Sequence, residues 1–339
     1  MPDTQKLIDN AFKGNTNLND LFDTALTLLD SGDQKSIHKF LNVGHIPSIN
    51  RTIYQKSKIN EWFDLLHQLV IKSNFDVYEL IQQRSEYYRD KPLFQEITEN
   101  KIVPISYQNV WKTIRSIGSH FVTNLSPHDT IGILTPNHLN GAIIDLACLS
   151  YHIRVVPIPI NLSADHLDYV LDHADITHLF TGSEDARDLL NNAKIDTNTH
   201  NMVCIDIQNE WEDFLKICYQ STLATPKKKE MDDLATIMYT SGTTDNPKGI
   251  IFNQTNIITK RFARALALPE IGSNDSFLCY LPLYHTFGRW LEMMGTIFWG
   301  STYTFTENTS FKTLLRDFKI VQPTVFISIP KRWIQIREQ

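Results

Sequence analysis

Between Met238 and Phe252 the chain reads MYTSGTTDNPKGIIF. Thr240, Ser241, Thr243 and Thr244 offer hydroxyl donors of adjustable direction. Gly242 and Gly249 admit backbone conformations in which peptide N–H groups converge on an anion. Lys248 adds a compact cation on a flexible stem, suited to a phosphate as a point charge. A purely structural Ser/Thr/Gly turn has no use for that lysine, so the stretch reads as a phosphate loop. It is not the Walker A loop. Pro247 stands where the second glycine of that pattern belongs, and Gly249 where its magnesium-binding hydroxyl belongs. A Walker A loop also opens into a helix whose N-terminus meets the phosphates, whereas this one runs into the strand-like GIIFN. The dinucleotide fingerprint GxGxxG is missing here too.

The elements that must position this loop follow from periodicity. After Phe75, strand-like and helix-like runs alternate. DTIGILT is followed by NHLNGAIIDLACLSY, then RVVPIPI by SADHLDYVLDHAD with Ser163 as a cap, then THLFTG. NMVCIDI and LATIMYT continue the strand series, DSFLCYL precedes the helical WLEMMGTIFWG, and STYTF precedes FKTLLRDFKI. PTVFISIP reads as one more strand and KRWIQIREQ as the start of a helix. Such alternation means βαβ crossovers and a mostly parallel, helix-covered sheet. Residues 1–72 read differently, as a helical extension. Leu18, Leu21, Phe22, Ala25, Leu28 and Leu29 share one helical face ahead of the stop signal Gly32, and Ile59, Trp62, Phe63, Leu66, Leu69 and Val70 repeat the pattern. The expected division is thus a helical extension over 1–72 and an α/β domain over 73–339.

The 339 residues are 42% hydrophobic and 21% charged, as in globular proteins. A net charge of −6 offers no basic face for nucleic acid, and the short cluster PKKKE at 226–230 reads as a solvated linker. Cys148, Cys204, Cys218 and Cys279 form no CxxC pair, which fits buried thiols in a reducing compartment and not a zinc site. His166 and His173, seven apart amid aspartates, fit a solvated helix face better than a metal site. The N-terminus has no apolar h-region, and no run approaches ~18 uninterrupted apolar residues. No transmembrane segment and a cytoplasmic location are expected. Peripheral membrane contact would suit a lipid substrate, though no basic amphipathic helix demands it.

YTSGTTDNPKG, Tyr239 to Gly249, resembles the phosphate-loop signature of the adenylate-forming (AMP-binding) superfamily, in which glycine usually occupies the position of Asp245. LPLYHTFGRWLE (281–292) is similar to a segment of long-chain acyl-CoA synthetases, with His285 and Arg289 in register and Gly288 where those enzymes often carry an acid. SIPKRWIQI (328–336) and the block from Phe75 match the same enzymes in order, so the resemblance spans roughly 75–339. It implies helix-covered, mostly parallel sheets of the adenylate-forming type. It also implies ATP-dependent activation of a fatty acid through an acyl-adenylate to its coenzyme A thioester. By that resemblance Thr240–Thr244 and Lys248 hold the β and γ phosphates, and Thr240 shares a Mg2+ ion with an acid elsewhere. Lys248 and His285 are the catalytic candidates, and His285 and Arg289 meet the acyl substrate. The apolar WLEMMGTIFW (290–299) suits either an acyl channel or a core helix.

No late YG.TE-like or TGD-like segment occurs, so the adenine- and ribose-binding motifs and the small lid domain of such enzymes are expected outside this chain. Two readings follow. In one, the chain is the N-terminal portion of an acyl-CoA synthetase, completed by further sequence or a second polypeptide. In the other, it is a non-catalytic relative that binds nucleotide or a partner, a reading that Asp245 favours.

Overall fold

The computed structural model describes residues 7, 9–10, 13, 17–195, 200–227, 230–240 and 246–338. Strands and helices alternate as the periodicity requires, but the strands divide between two sheets. The larger contains β3 (Thr130–Leu134), β4 (Arg154–Ile158), β5 (Ile176–Thr181), β6 (Met202–Cys204), β7 (Leu234–Thr240) and β8 (Lys248–Asn253). Its order is β6-β5-β3-β4-β7-β8, parallel throughout except for the β7–β8 hairpin. The smaller contains β1 (Pro92–Thr98), β2 (Lys101–Ser106), β9 (Ser276–Cys279) and β10 (Thr302–Phe305) in the order β2-β1-β10-β9, with β1–β2 antiparallel.

The larger sheet is covered on both faces, and the two-residue period of its strands assigns each side chain. Ile131, Ile133 and Val155 enter the main core beneath the helices Tyr107–Asn124 and Leu139–Ser150. Leu134, Val156 and Ile158 enter a second core beneath Ala164–His173 and Glu184–Asn192. Ser163 caps the first of that pair by accepting from the His166 N–H at 3.3 Å. All four cysteines are buried free thiols.

Helices fill the N-terminal stretch. Leu18–Ser31 ends at Gly32 in the left-handed region (φ 64), and Ile59–Ser73 ends at Asn74 in the same way. Leu21, Trp62 and Leu66 join the same hydrophobic core as Phe262, Phe298 and Trp299 of the α/β body. The His67 Nδ1 lies 3.2 Å from the Thr259 hydroxyl on the helix Gln254–Ala267. The helical bundle is therefore packed into the body through a continuous core.

One local expectation needs correction, and one open alternative is narrowed. PTVFISIP forms no strand: the Thr324 and Val325 N–H groups both donate to the Ser276 carbonyl, and one bridge joins Val325 to Phe277 before the segment departs. Pro323, its missing N–H and a half-buried setting leave no ladder to propagate. The helix Met294–Trp299 is a core element, with all of its residues buried. Trp290 and Leu291, in the turn ahead of it, border a cavity. Among the described residues, no helix is long and apolar enough to cross a membrane.

Candidate active site

The strand order of the larger sheet reverses at β3, which sends β4 to one side and β5 to the other. In open α/β sheets, ligands collect outside the carboxyl ends of the strands at such a point. β3, β4 and β7 are parallel, so Thr240 at the end of β7 and Asn137 just past β3 occupy the same edge.

Thr240 and Lys248 are cross-strand partners that close the β7–β8 ladder, and the Thr240 hydroxyl lies 3.4 Å from the Lys248 carbonyl. Both side chains are exposed. Ser241, Gly242, Thr243 and Thr244, with Asp245, lie outside the described residues. What can be described is the base of the loop. A Cβ at Gly249 would come within 2.8 Å of Ile237 Cγ2 across the hairpin, so that position must lack one. Beside it the buried Tyr239 hydroxyl lies 2.7 Å from His173 Nδ1. Burial, with Tyr169 and Asp175 nearby, pushes the Tyr239 phenol up to about 12, so it stays a neutral hydrogen-bonding anchor. His173 is thereby a brace for the hairpin.

The segment carrying His285 is fastened to this edge by a residue the sequence reading passed over. Asn137 donates from Nδ2 to the Leu281 carbonyl and accepts from the Leu283 N–H, both at 2.9 Å. The chain then turns tightly, with the His285 N–H on the Pro282 carbonyl at 3.0 Å. It enters a π-helical stretch over Phe287–Met293, a rare form that concentrates at functional sites. The His285 ring is exposed and stacks on Phe287.

Arg289 is turned away from the surface. Its guanidinium is 0% exposed and makes a bidentate pair with Asp145, at 2.8 Å from Nε and 2.5 Å from Nη2. Nη1 donates to the Thr236 hydroxyl at 2.8 Å, and that hydroxyl donates to the Val155 carbonyl. The cation also lies 4.3 Å over the Trp290 ring. All three guanidinium nitrogens of Arg289 are thus engaged by internal partners. Asp145 and Thr236 were not singled out from sequence, although an aspartate inside AIIDLACL, an otherwise apolar helix, signals a buried charge that needs a partner. Arg289 lies one turn after His285, and its N–H donates to the His285 carbonyl. Thr236 lies on the strand that ends at Thr240. One buried polar network therefore ties the histidine turn to the phosphate hairpin.

Glu292, one turn further on, accepts from the Tyr303 hydroxyl at 3.0 Å, while its Oε1 has no partner among the described residues. Burial holds its carboxyl well above the usual range. An acid whose folded value is raised contributes stability that is full below its unfolded value and is lost as pH rises toward the folded one. Glu292→Gln, which cannot ionise, is therefore expected to gain on the wild type as pH rises from about 4, the ordinary glutamate value. Thermal unfolding across that range checks this, and a difference independent of pH would contradict it.

The AMP-binding enzyme family profile matches residues 81–339. The chain is 27% identical to long chain acyl-CoA synthetase 3 of Arabidopsis thaliana over 322 residues, covering 85% of this chain and 46% of the relative. It is 30% identical to long-chain-fatty-acid–CoA ligase 1 of Cavia porcellus over 250 residues, covering 67% of this chain and 36% of that one. The chain thus spans less than half the length of these relatives, and the match falls on their N-terminal portion. Among solved structures, a putative long-chain-fatty-acid CoA ligase from Rhodopseudomonas palustris shares the fold with a TM-score of 0.67 at 18% identity, covering 78% of this chain and 66% of that one. An o-succinylbenzoate coenzyme A synthetase from Bacillus subtilis, solved with ATP and magnesium, has a TM-score of 0.61 at 17% identity, covering 77% and 66%. With the profile matching well over half of its residues, this chain belongs to the AMP-binding enzyme family.

Proposed function

We propose that this chain carries the phosphate-gripping and acid-positioning part of a site that activates a fatty acid with ATP and passes the acyl group, through an acyl-adenylate, to the thiol of coenzyme A. The observation that carries this is the Thr236–Arg289–Asp145 network, which holds the His285 turn and the Thr240–Lys248 hairpin on one edge of the sheet. Relatives of long-chain acyl-CoA synthetase description support the substrate class.

In the step proposed, a carboxylate oxygen attacks the α-phosphorus of ATP and the bond to the pyrophosphate oxygen breaks. Negative charge gathers on the leaving pyrophosphate. Donors fixed in advance favour that charge more than the ground state. Lys248, with the hydroxyls and N–H groups of Thr240, Ser241, Gly242, Thr243 and Thr244, would hold the β and γ phosphates. The exposed Thr240 hydroxyl is a hard oxygen donor engaged only at 3.4 Å, so it fits one position on a Mg2+ ion. Among the described residues no group of three or more His, Cys, Asp or Glu could hold a metal. The ion would take its other oxygens from phosphate, water and an acid elsewhere, and when bound it supplies positive charge to the phosphate oxygens. His285 would face the reacting carboxylate. Arg289 positions that histidine through its own helix and does not touch substrate.

Lys248→Ala is expected to weaken binding of MgATP by ~10- to 100-fold, the equivalent of one charge-assisted hydrogen bond of ~1.5–3 kcal/mol. Equilibrium titration of the chain with MgATP reads this. Affinity unchanged in the variant would remove the phosphate role of the hairpin and the proposal with it.

A further inference from the structure

A cavity of about 170 Å3 opens between the helix Gln254–Ala267 and the turn that follows His285. Phe252, Trp290 and Leu291 make part of its wall apolar, as an acyl chain requires. Its other lining is unexpected for a hydrocarbon: Lys260, Arg261 and Arg264 all border the same space. Arg264 lies three residues from Arg261 and four from Lys260, so it neighbours both on the helix, and like charges so placed repel.

Arg261 is the telling member. It is 3% exposed, its Nε is used on the Ile257 carbonyl at 3.2 Å, and its Nη1 has no partner among the described residues. No carboxylate pairs with Arg261, Lys260 or Arg264 among those residues. Burial and the nearby Arg264 push the Arg261 guanidinium down to about 9, still high enough to be charged at neutral pH. A buried cation with neither counter-ion nor full hydrogen bonding is costly to maintain. Arg289, equally buried, shows the usual solution, a carboxylate in bidentate contact. Among the described residues Arg261 lacks that partner, and it lines a cavity in which one could bind.

The cavity is set apart from the hairpin end: Phe252, on its wall, lies four residues along β8 from Lys248, which is ~13 Å at strand rise. We infer that this cavity takes the far end of an acid that carries a second anionic group, a carboxylate opposite the one that is activated, with Arg261 as its principal partner and Lys260 and Arg264 at the mouth. The inference rests on reading the site as acid-activating, and it narrows that reading to dicarboxylic acids. An apolar cavity of ~150 Å3 takes a benzene-sized group, so this one has room for a short stretch of acyl chain.

Titration of the chain with octanoate and with octanedioate, followed by calorimetry, tests this. Octanedioate is expected to bind at least ~10-fold more tightly, the worth of one charge-assisted hydrogen bond. Arg261→Met should bring octanedioate to the level of octanoate and leave octanoate unchanged. Because Arg261 is buried, Lys260→Gln/Arg264→Gln on the exposed side gives a second reading, with a loss of several-fold confined to octanedioate. Equal affinity of the two acids in the wild type overturns the inference while leaving fatty-acid activation standing. So does an equal loss of both acids in Arg261→Met, since the cations would then hold the reacting carboxylate. Binding of neither acid would overturn the acid-activating reading itself.

Discussion

Asp145→Ala is expected to cost ~3–5 kcal/mol of folding stability, because it leaves the Arg289 guanidinium buried and uncompensated. Arg289→Met should cost a comparable amount by stranding the carboxylate. A pair of complementary size, Asp145→Leu with Arg289→Met, is expected to recover most of the loss, since well-packed apolar side chains replace buried ion pairs at little cost. The recovered variant should still be deficient in fatty-acid-dependent chemistry, because Thr236 would no longer be joined to the helix behind His285. Urea unfolding of the two single variants and the double variant measures the coupling. A single-variant loss below ~1 kcal/mol, the worth of an exposed pair, would show that the pair is not held as a buried unit. Full activity in the stable double variant would remove the positioning role of Arg289.

Gly288→Ala is expected to destabilise by ~3 kcal/mol or more, at the upper end of overpacking. A Cβ there would stand 2.3 Å from the Pro282 carbonyl oxygen and 2.6 Å from that of Leu281. Both are backbone atoms of the turn that Asn137 clamps, so no side chain can swing aside to make room. The turn has to open, and His285 moves with it. Gly288→Asp, which restores the acid often found here in long-chain acyl-CoA synthetases, should be worse still, because it also sets a carboxylate against carbonyl oxygens. Thermal unfolding reads the global cost. Hydrogen exchange at the Leu283 amide reads the local one, since that N–H is protected by Asn137. Unchanged protection in Gly288→Ala would show that the turn tolerates a side chain.

Both variants lie in parts of the molecule that the sequence displays unequally. The phosphate hairpin is legible because its chemistry is local: hydroxyls, glycines and a lysine within eleven residues, flanked by apolar runs that must be strands. The strand-helix alternation is legible for the same reason, because the hydrophobic period is a property of each segment alone. Misreadings arise where a segment's state depends on its neighbours. PTVFISIP has strand composition, yet β9 offers it only the start of a ladder. WLEMMGTIFW has a composition that suits a channel wall or a core helix alike, and from Met293 onward packing takes it into the core. His285 and Arg289 come as a pair by resemblance, and the structure sends one outward and the other inward.

The sequence by itself determined the class of fold, the helical N-terminal region and family membership, all written in short-range pattern. Tertiary structure decided the division of the strands between two sheets, the Asn137 clamp, and the partnership of Arg289 with Asp145, 144 residues away. It also set three cations, Lys260, Arg261 and Arg264, beside a partly apolar cavity. The physical reason is that a buried charge carries no mark of its partner in the local sequence. Which carboxylate compensates it, or whether a ligand must, depends on which distant surfaces the packing brings within hydrogen-bonding distance.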